Sequence, residues 1–312
     1  MKFHHISVMA DEVIKGLKIK PDGVYVDCTL GGAGHSSRIA AALSEKGTLL
    51  GIDQDIIAVE AAKEKLAQYT CNIKIVHDNF AHLGQILRNE NIDMVDGFLF
   101  DLGVSSPQID NTERGFSYMH DAPLDMRMDE DAELTAYTVV NKYSQEHLTE
   151  IIKDYGEERW AKRIAEFIVE RRKTAPIETT GQLVDVIRRA IPAAVRRSST
   201  GHPAKRVFQA VRIEVNNELN ILEEAFECAV KHLNQNGRIA IITFHSLEDR
   251  IAKNTLKLMA RGCICPPDIP ICVCGHKKQV KLCGKAAVPS EAEIEANPRA
   301  KSAKLRIAEK IV

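Results

Sequence analysis

The chain has 312 residues, 45% of them apolar and 27% charged, with a formal net charge of −1. This composition excludes a disordered, collagenous or coiled-coil protein, and the length predicts about two domains. No run reaches the roughly 18–20 apolar residues that a bilayer crossing needs, and Met1-Lys2-Phe3-His4-His5 lacks the basic-then-apolar pattern of a secretory signal. Eight cysteines are too few to staple a chain of this length, so the expected compartment is the reducing cytoplasm.

Strand and helix signals alternate over the first hundred residues. Val24-Tyr25-Val26-Asp27-Cys28 reads as a strand after the Pro21-Asp22-Gly23 turn, and residues 36–45 read as a helix. Thr48 to Asp53 is a second strand. Residues 55–69 carry Ile56, Val59, Ala62 and Leu66 at helical spacing. Ile73 to Val76 is a third strand, residues 81–90 a helix, and Val95 to Leu102 a mostly apolar fourth strand. Such alternation predicts a parallel sheet with right-handed crossovers. From about residue 106 to 216 no strand is evident. A Gly/Pro/Asp-rich loop over 106–130 leads into amphipathic helices over 157–173 and 180–191, which reads as a helical insertion. Residues 206–235 read as one long helix. Strand signals return at Gly237 to Phe244 and at Ala303 to Ile311.

The small net charge hides an asymmetry. From Glu157 to Arg212 there are thirteen Lys/Arg against six Asp/Glu, or +7, so the rest sums to −8. A basic block is the footprint of a polyanion partner, or else a solvated helix face. Lys277 to Lys285 and Asn297 to Lys310 are two further basic stretches.

Asp27-Cys28-Thr29-Leu30-Gly31-Gly32-Ala33-Gly34-His35 joins the first strand to the first helix. Glycines there allow close backbone approach, and the helix start offers N–H groups. Asp53 ends the second strand, where a carboxylate can accept both hydroxyls of a ribose. The dinucleotide fingerprint fails at Ser37, so S-adenosylmethionine is the better expectation. His77-Asp78-Asn79-Phe80 follows the third strand and can place a polar group at an adenine edge and Phe80 on its face; Phe80 as ordinary core is the other reading. Asp101-Leu102-Gly103-Val104-Ser105-Ser106-Pro107-Gln108 ends the fourth strand and forms the loop after it. It loosely resembles the Pro-Pro-aromatic loop of enzymes that methylate exocyclic amines, but lacks the second proline and the aromatic. Asp101 can accept a proton there, bind the cofactor, or cap the loop.

Several longer stretches are more specific. They are Arg114-Gly115-Phe116-Ser117, Pro123 to Asp129, Tyr155-Gly156-Glu157-Glu158, His202 to Ala210, Arg212 to Leu219, Phe244 to Arg250 and Asn297-Pro298-Arg299-Ala300. With the N-terminal motifs they closely resemble the MraW (RsmH) family, from His5 to about Arg306. The resemblance implies an α/β class I (Rossmann-like) methyltransferase sheet with an inserted all-helical domain. It implies a discontinuous cofactor-binding domain of residues 1–105 and 217–312, and a substrate-recognition insertion of residues 106–216. The implied reaction moves a methyl group from S-adenosylmethionine to the N4 amine of a cytidine in 16S ribosomal RNA near the decoding centre. Ala33, Gly34, His35, Asp53, Phe80, Asp101 and Gln108 match the family's cofactor-contacting positions, with Asp101 also the catalytic candidate. Ala33 replaces a glycine frequent in the family, which a negative φ would tolerate. A target cytosine would have to leave its stack, against a wall formed by the insertion and the 106–130 loop. His202 and His245 stand in motif stretches, where a nucleic-acid contact and a structural role are both open.

Five cysteines lie within residues 263–283. Cys263-Ile264-Cys265 and Cys272-Val273-Cys274 form two Cys-x-Cys pairs, stiffened by Pro266, Pro267 and Pro270 and followed by His276 and Cys283. Four thiolates in two pairs suit a tetrahedral zinc, although the spacing is tighter than usual; reduced thiols or redox pairing remain open.

Overall fold

The computed structural model describes residues 7–198, 201–266, 271 and 273–312. Of the positions singled out above, Met1 to His5, Pro267, Pro270 and Cys272 lie outside the described residues. In chain order the elements are α1 (Ala10–Leu17), β1 (Val24–Asp27), α2 (Gly34–Ala42), β2 (Thr48–Asp53), α3 (Ile56–Leu66), β3 (Asn72–His77), α4 (Leu83–Asn89) and β4 (Val95–Asp101). Then come α5 (Ser106–Asp110), α6 (Ala136–Lys142), α7 (Gln145–Asp154), α8 (Ala161–Thr174), α9 (Thr180–Ala190), α10 (Ala193–Ser198) and α11 (Lys205–Asn216). The chain closes with α12 (Leu222–Lys231), β5 (Leu233–Thr243), α13 (Ser246–Met259), β6 (Val280–Leu282), α14 (Glu291–Ala296) and β7 (Lys304–Lys310).

The chain divides into two compact units, Met1–Gly103 with Leu219–Val312, and Val104–Glu218. The first holds a seven-stranded sheet in the order β3-β2-β1-β4-β5-β7-β6. β1 to β5 run parallel, whereas β7 is antiparallel to both β5 and β6. Side chains alternate across the strands, as a period of two requires. Val26, Leu50, Phe98, Phe100, Ile239 and Ile241 point to one face, where α4, α12 and α13 pack. Tyr25, Leu49, Leu99, Ala240 and Ile242 point to the other, under α1, α2 and α3. Burial on both faces explains why these strands read as nearly continuous apolar runs. Where β5 meets β7, the buried Arg238 donates to Glu309 at 2.6 and 2.9 Å and to the Gly16 carbonyl at 2.6 Å, so one guanidinium ties α1 to the sheet.

The second unit is helical, with a core of its own that includes Val139, Leu148, Ile164, Ile168, Leu183, Ile187 and Phe208. It starts and ends two residues outside the expected 106–216. Its entry loop is held by main-chain contacts. Arg114 donates to the carbonyls of Arg127 and Met128, and Arg127 pairs bidentately with Asp125. Asn216 accepts from the Met128 N–H and donates to the Met126 carbonyl. The motifs around Arg114, Asp125 to Met128 and Asn216 therefore form one clamp.

The expected helix over 206–235 is not continuous. Asn217 adopts the left-handed conformation (φ 50°, ψ 40°) and the Glu218 N–H closes back on the Ile213 carbonyl at 3.2 Å, which ends α11. Leu233 to Gln235 belong to β5. The apolar spacing runs on through the break, because α12 also buries one face, with Leu222, Phe226 and Val230. The 106–130 segment, expected as a loop, contains α5.

Candidate active site

The carboxyl ends of β1, β2 and β4 each carry an aspartate, because an apolar strand that leaves the core must end on a group that tolerates a polar crevice. Asp27 ends β1 and is 1% exposed. Its carboxylate accepts from Ser36 Oγ at 2.6 Å and from the Thr29 N–H at 3.1 Å. Asp53 ends β2, and each of its oxygens accepts one main-chain N–H, from Gly31 at 2.7 Å and Asp55 at 2.9 Å. Asp101 ends β4; its own N–H donates to Thr29 Oγ1 at 2.7 Å. His35 Nε2 stands 3.5 Å from Asp101 Oδ2, while Asp101 Oδ1 is buried and accepts no hydrogen bond among the described residues.

The turn between β1 and α2 is pressed onto the sheet. Leu30 fills the space over Gly51, where an added Cβ would lie 2.4 Å from Leu30 Cδ2. Lys65 Nζ donates to the Gly32 carbonyl at 2.7 Å. Gly31 (φ 46°) and Ala33 (φ 51°) both take the left-handed conformation. The condition under which Ala33 would be tolerated, a negative φ, is not met: the residue is the buried N-cap of α2 and is left-handed. An L-residue in that conformation costs roughly 1–2 kcal/mol. Ala33→Gly is therefore expected to raise unfolding stability by up to about 1 kcal/mol, read from the urea midpoint at unchanged slope. A lower midpoint would show that the lost methyl packing outweighs the relief.

Burial raises all three carboxyls. Asp27 is pushed up to about 7, against the opposing hydrogen bond from Ser36. Asp53 is pushed up to about 6, against the N–H groups of Asp55 and Gly31. Asp101 is pushed up to about 8, first by burial and then by the charges of Asp27 and Glu248. Among the described residues no Lys or Arg pairs with any of the three. An acidic crevice with raised carboxyls and no resident cation suits a cationic ligand. A carboxylate steadied by two amides, with a lone pair left on each oxygen, suits a diol. These carboxylates fit the sulfonium and ribose of S-adenosylmethionine.

The other expected positions separate. Phe80 starts a short 3-10 turn after β3 and is half-buried, its ring edge-on to Phe100 at 5.6 Å, so it is in part core. Gln108 lies in the second unit, where its side-chain oxygen accepts from the Ser105 N–H at 3.0 Å in a capping box on α5. His245 caps α13, its Nε2 3.1 Å from Glu248 Oε1. His202 stacks on Tyr118 at 4.6 Å and accepts from the Ala204 N–H. Both histidines thus have structural partners. Asp27 and Thr29 join the crevice without being candidates from the sequence; for Asp27 the signal is an acid near the end of an apolar strand.

The strand order, the antiparallel β7 and the glycine turn beside strand-end acids define a class I methyltransferase. Family comparison agrees: residues 2–311 match the MraW methylase family. The chain is 58% identical over 312 residues to Ribosomal RNA small subunit methyltransferase H of Clostridioides difficile, with 100% of each covered. It is 54% identical to the protein of the same name from Brevibacillus brevis, with 100% of this chain and 99% of that one covered. A solved structure, a putative rRNA-methylase from Clostridium thermocellum, aligns at 13% identity and a TM-score of 0.45, covering 98% of this chain and 100% of that one. The chain belongs to the MraW methylase family, whose members are S-adenosylmethionine-dependent methyltransferases. No helix among the described residues is long and apolar enough to cross a membrane.

Proposed function

We propose that this protein methylates the exocyclic N4 amine of one cytidine in 16S ribosomal RNA near the decoding centre, in the cytoplasm. The relatives' name supports the ribosomal small subunit as the substrate context. The observation that carries the chemistry is Asp101, with an unpartnered buried oxygen at the end of β4 among the described residues. Ala33, Gly34, His35, Asp53, Phe80 and Asp101 hold the cofactor in this reading. Asp53 grips the ribose hydroxyls, Phe80 offers an aromatic face, and the turn from Gly31 to His35 admits the methionine end. The cofactor supplies an electrophilic methyl on a cationic sulfur. Asp101 Oδ1 accepts an N4–H, which aligns the amine and returns electron density to a lone pair otherwise delocalised into the ring. Once the amine has received the methyl group that the cofactor would supply, Oδ1 would take the surplus N4 proton.

Substrate recognition falls to the Val104–Glu218 unit. Its basic residues are not all alike. Arg172 is turned inward onto the carbonyls of Val140 and Tyr143, and Arg212 pairs with Glu218. Arg159, Lys162 and Arg163 face solvent, with Arg159 over the Trp160 ring and Arg163 over Phe167. Exposed cations beside aromatic faces suit a phosphate backbone and unstacked bases. Replacing Arg159, Lys162 and Arg163 together by Ala is expected to flatten the slope of log affinity against log salt by about two to three, with the thermal transition unchanged. An unaltered slope would place the RNA footprint elsewhere.

The function itself is tested on small subunits from cells lacking the protein. They are incubated with full-length enzyme and S-adenosylmethionine, then digested, and the nucleosides mapped by mass spectrometry. One new N4-methyl group at a single cytidine of 16S RNA near the decoding centre is expected. Methylation of another atom or site, or of duplex DNA alone, would sink the reading.

A further inference from the structure

The segment between α13 and β6 has no part in the chemistry above. Its ends are drawn together, because the Gln279 N–H donates to the Met259 carbonyl at 2.8 Å. Between them runs a loop too long to stand without its own means of support. Apolar burial does not supply it: among the described residues of the loop, Ile264 is 44% exposed and Ile271 and Val273 are each 75% exposed. Instead, the Sγ atoms of Cys263, Cys265 and Cys274 gather within 4.8 Å of one another. Cys263 Sγ and Cys274 Sγ are 3.8 Å apart. That separation is far outside the roughly 2.05 Å of a disulfide. It equals the edge of a tetrahedron whose ligands sit about 2.3 Å from a central zinc, which is about 3.8 Å. Main-chain N–H groups point at the sulfurs, from Cys265 to Cys263 Sγ and from Val273 to Cys265 Sγ, each at 3.4 Å. Donors of this kind stabilise thiolates around a metal. His276 is turned away, its Nε2 3.0 Å from the Leu258 carbonyl.

We propose that Cys263, Cys265 and Cys274 bind a structural zinc ion that holds this loop folded. The three thiols lose their protons to solvent as Zn²⁺ binds, and no electron is transferred. The length of α13 lies between the end of β5 and this loop, and none of the three cysteines is among the crevice residues, so the metal stabilises the loop and takes no part in the reaction.

The test uses full-length protein without a metal-binding tag, purified under reducing conditions without chelator and then dialysed against Zn²⁺. Elemental analysis should find about one zinc per chain, falling below about one tenth in the Cys263→Ser, Cys274→Ser double variant. That variant should still bind S-adenosylmethionine with wild-type affinity, which shows that the core has folded. With Co²⁺ in place of Zn²⁺, the wild type should give the intense tetrahedral bands and thiolate charge transfer of at least three sulfur ligands. Retention of stoichiometric zinc by the double variant, a wild-type content near zero after dialysis, or a mass two hydrogens short showing a disulfide would each overturn the proposal.

Discussion

Asp101→Asn should lower the methyl-transfer rate by about 10²- to 10³-fold. The amide keeps the size of the side chain but presents no anionic oxygen to the N4 amine. Among the described residues the Asp101 carboxyl anchors little: its N–H, not its carboxyl, engages Thr29, and its Oδ2 stands 3.5 Å from His35 Nε2. The fold should therefore survive, with an unchanged thermal transition. Binding of S-adenosylmethionine should weaken by only about tenfold, the attraction of one buried carboxylate for a cation. The loss should consequently appear in kcat, because the interaction tightens as the amine becomes the attacking group. Single-turnover rates on small subunits, at saturating cofactor, read this directly. Retention of more than a tenth of the wild-type rate would remove Asp101 from proton handling and leave it a cofactor contact.

Cofactor binding should expel protons. Asp101, Asp27 and Asp53 stand at about 8, 7 and 6 in the ligand-free crevice, so near pH 7 part of this group is neutral. A bound cation favours the ionised carboxyls and reverses their upward displacement. Affinity for S-adenosylmethionine should rise about tenfold between about pH 6 and pH 7.5. Higher still, the cofactor's own amino group begins to lose its charge and the gain levels off. The three carboxyls titrate as a set, so the released protons belong to the set. Calorimetry in buffers of different ionisation enthalpy should count a net release near pH 7, smaller in Asp101→Asn. The stability of the ligand-free protein should run the other way. Raised carboxyls bind more protons folded than unfolded, so their contribution is full below about pH 4 and is lost as pH rises through about 8. Thermal protection by the cofactor should accordingly be larger at about pH 8 than at pH 6. Equal affinity at both ends, with no proton release, would mean that the three aspartates do not face the cation.

Much of this crevice is visible in the chain before any coordinates. A glycine turn after one strand, Asp53 closing the next and Asp101 closing a fourth are each local signals: an apolar run, its end, and the polar residue at that end. Ala33 shows the limit of such signals. Its identity suggests an ordinary backbone, yet as the buried N-cap of α2 it is left-handed. The break at Asn217 is hidden for a related reason. Helical spacing of apolar residues reports which face is buried, and α11 and α12 both bury one, so the pattern does not register the break between them.

The amino-acid sequence by itself determined the strands except the short β6, the alternation of strand and helix, the basic helical segment and the acids near the strand ends. These follow from periodicity and composition within short windows, where side-chain direction is set by the backbone repeat. Only the tertiary structure decided that Asp27, Asp53 and Asp101 are raised, that His35 stands beside Asp101, and that three cysteine sulfurs gather within 4.8 Å, two of them 3.8 Å apart. Those properties depend on distances between groups far apart in the chain and on the water that burial removes, and neither quantity exists until the sheet and its loops have closed.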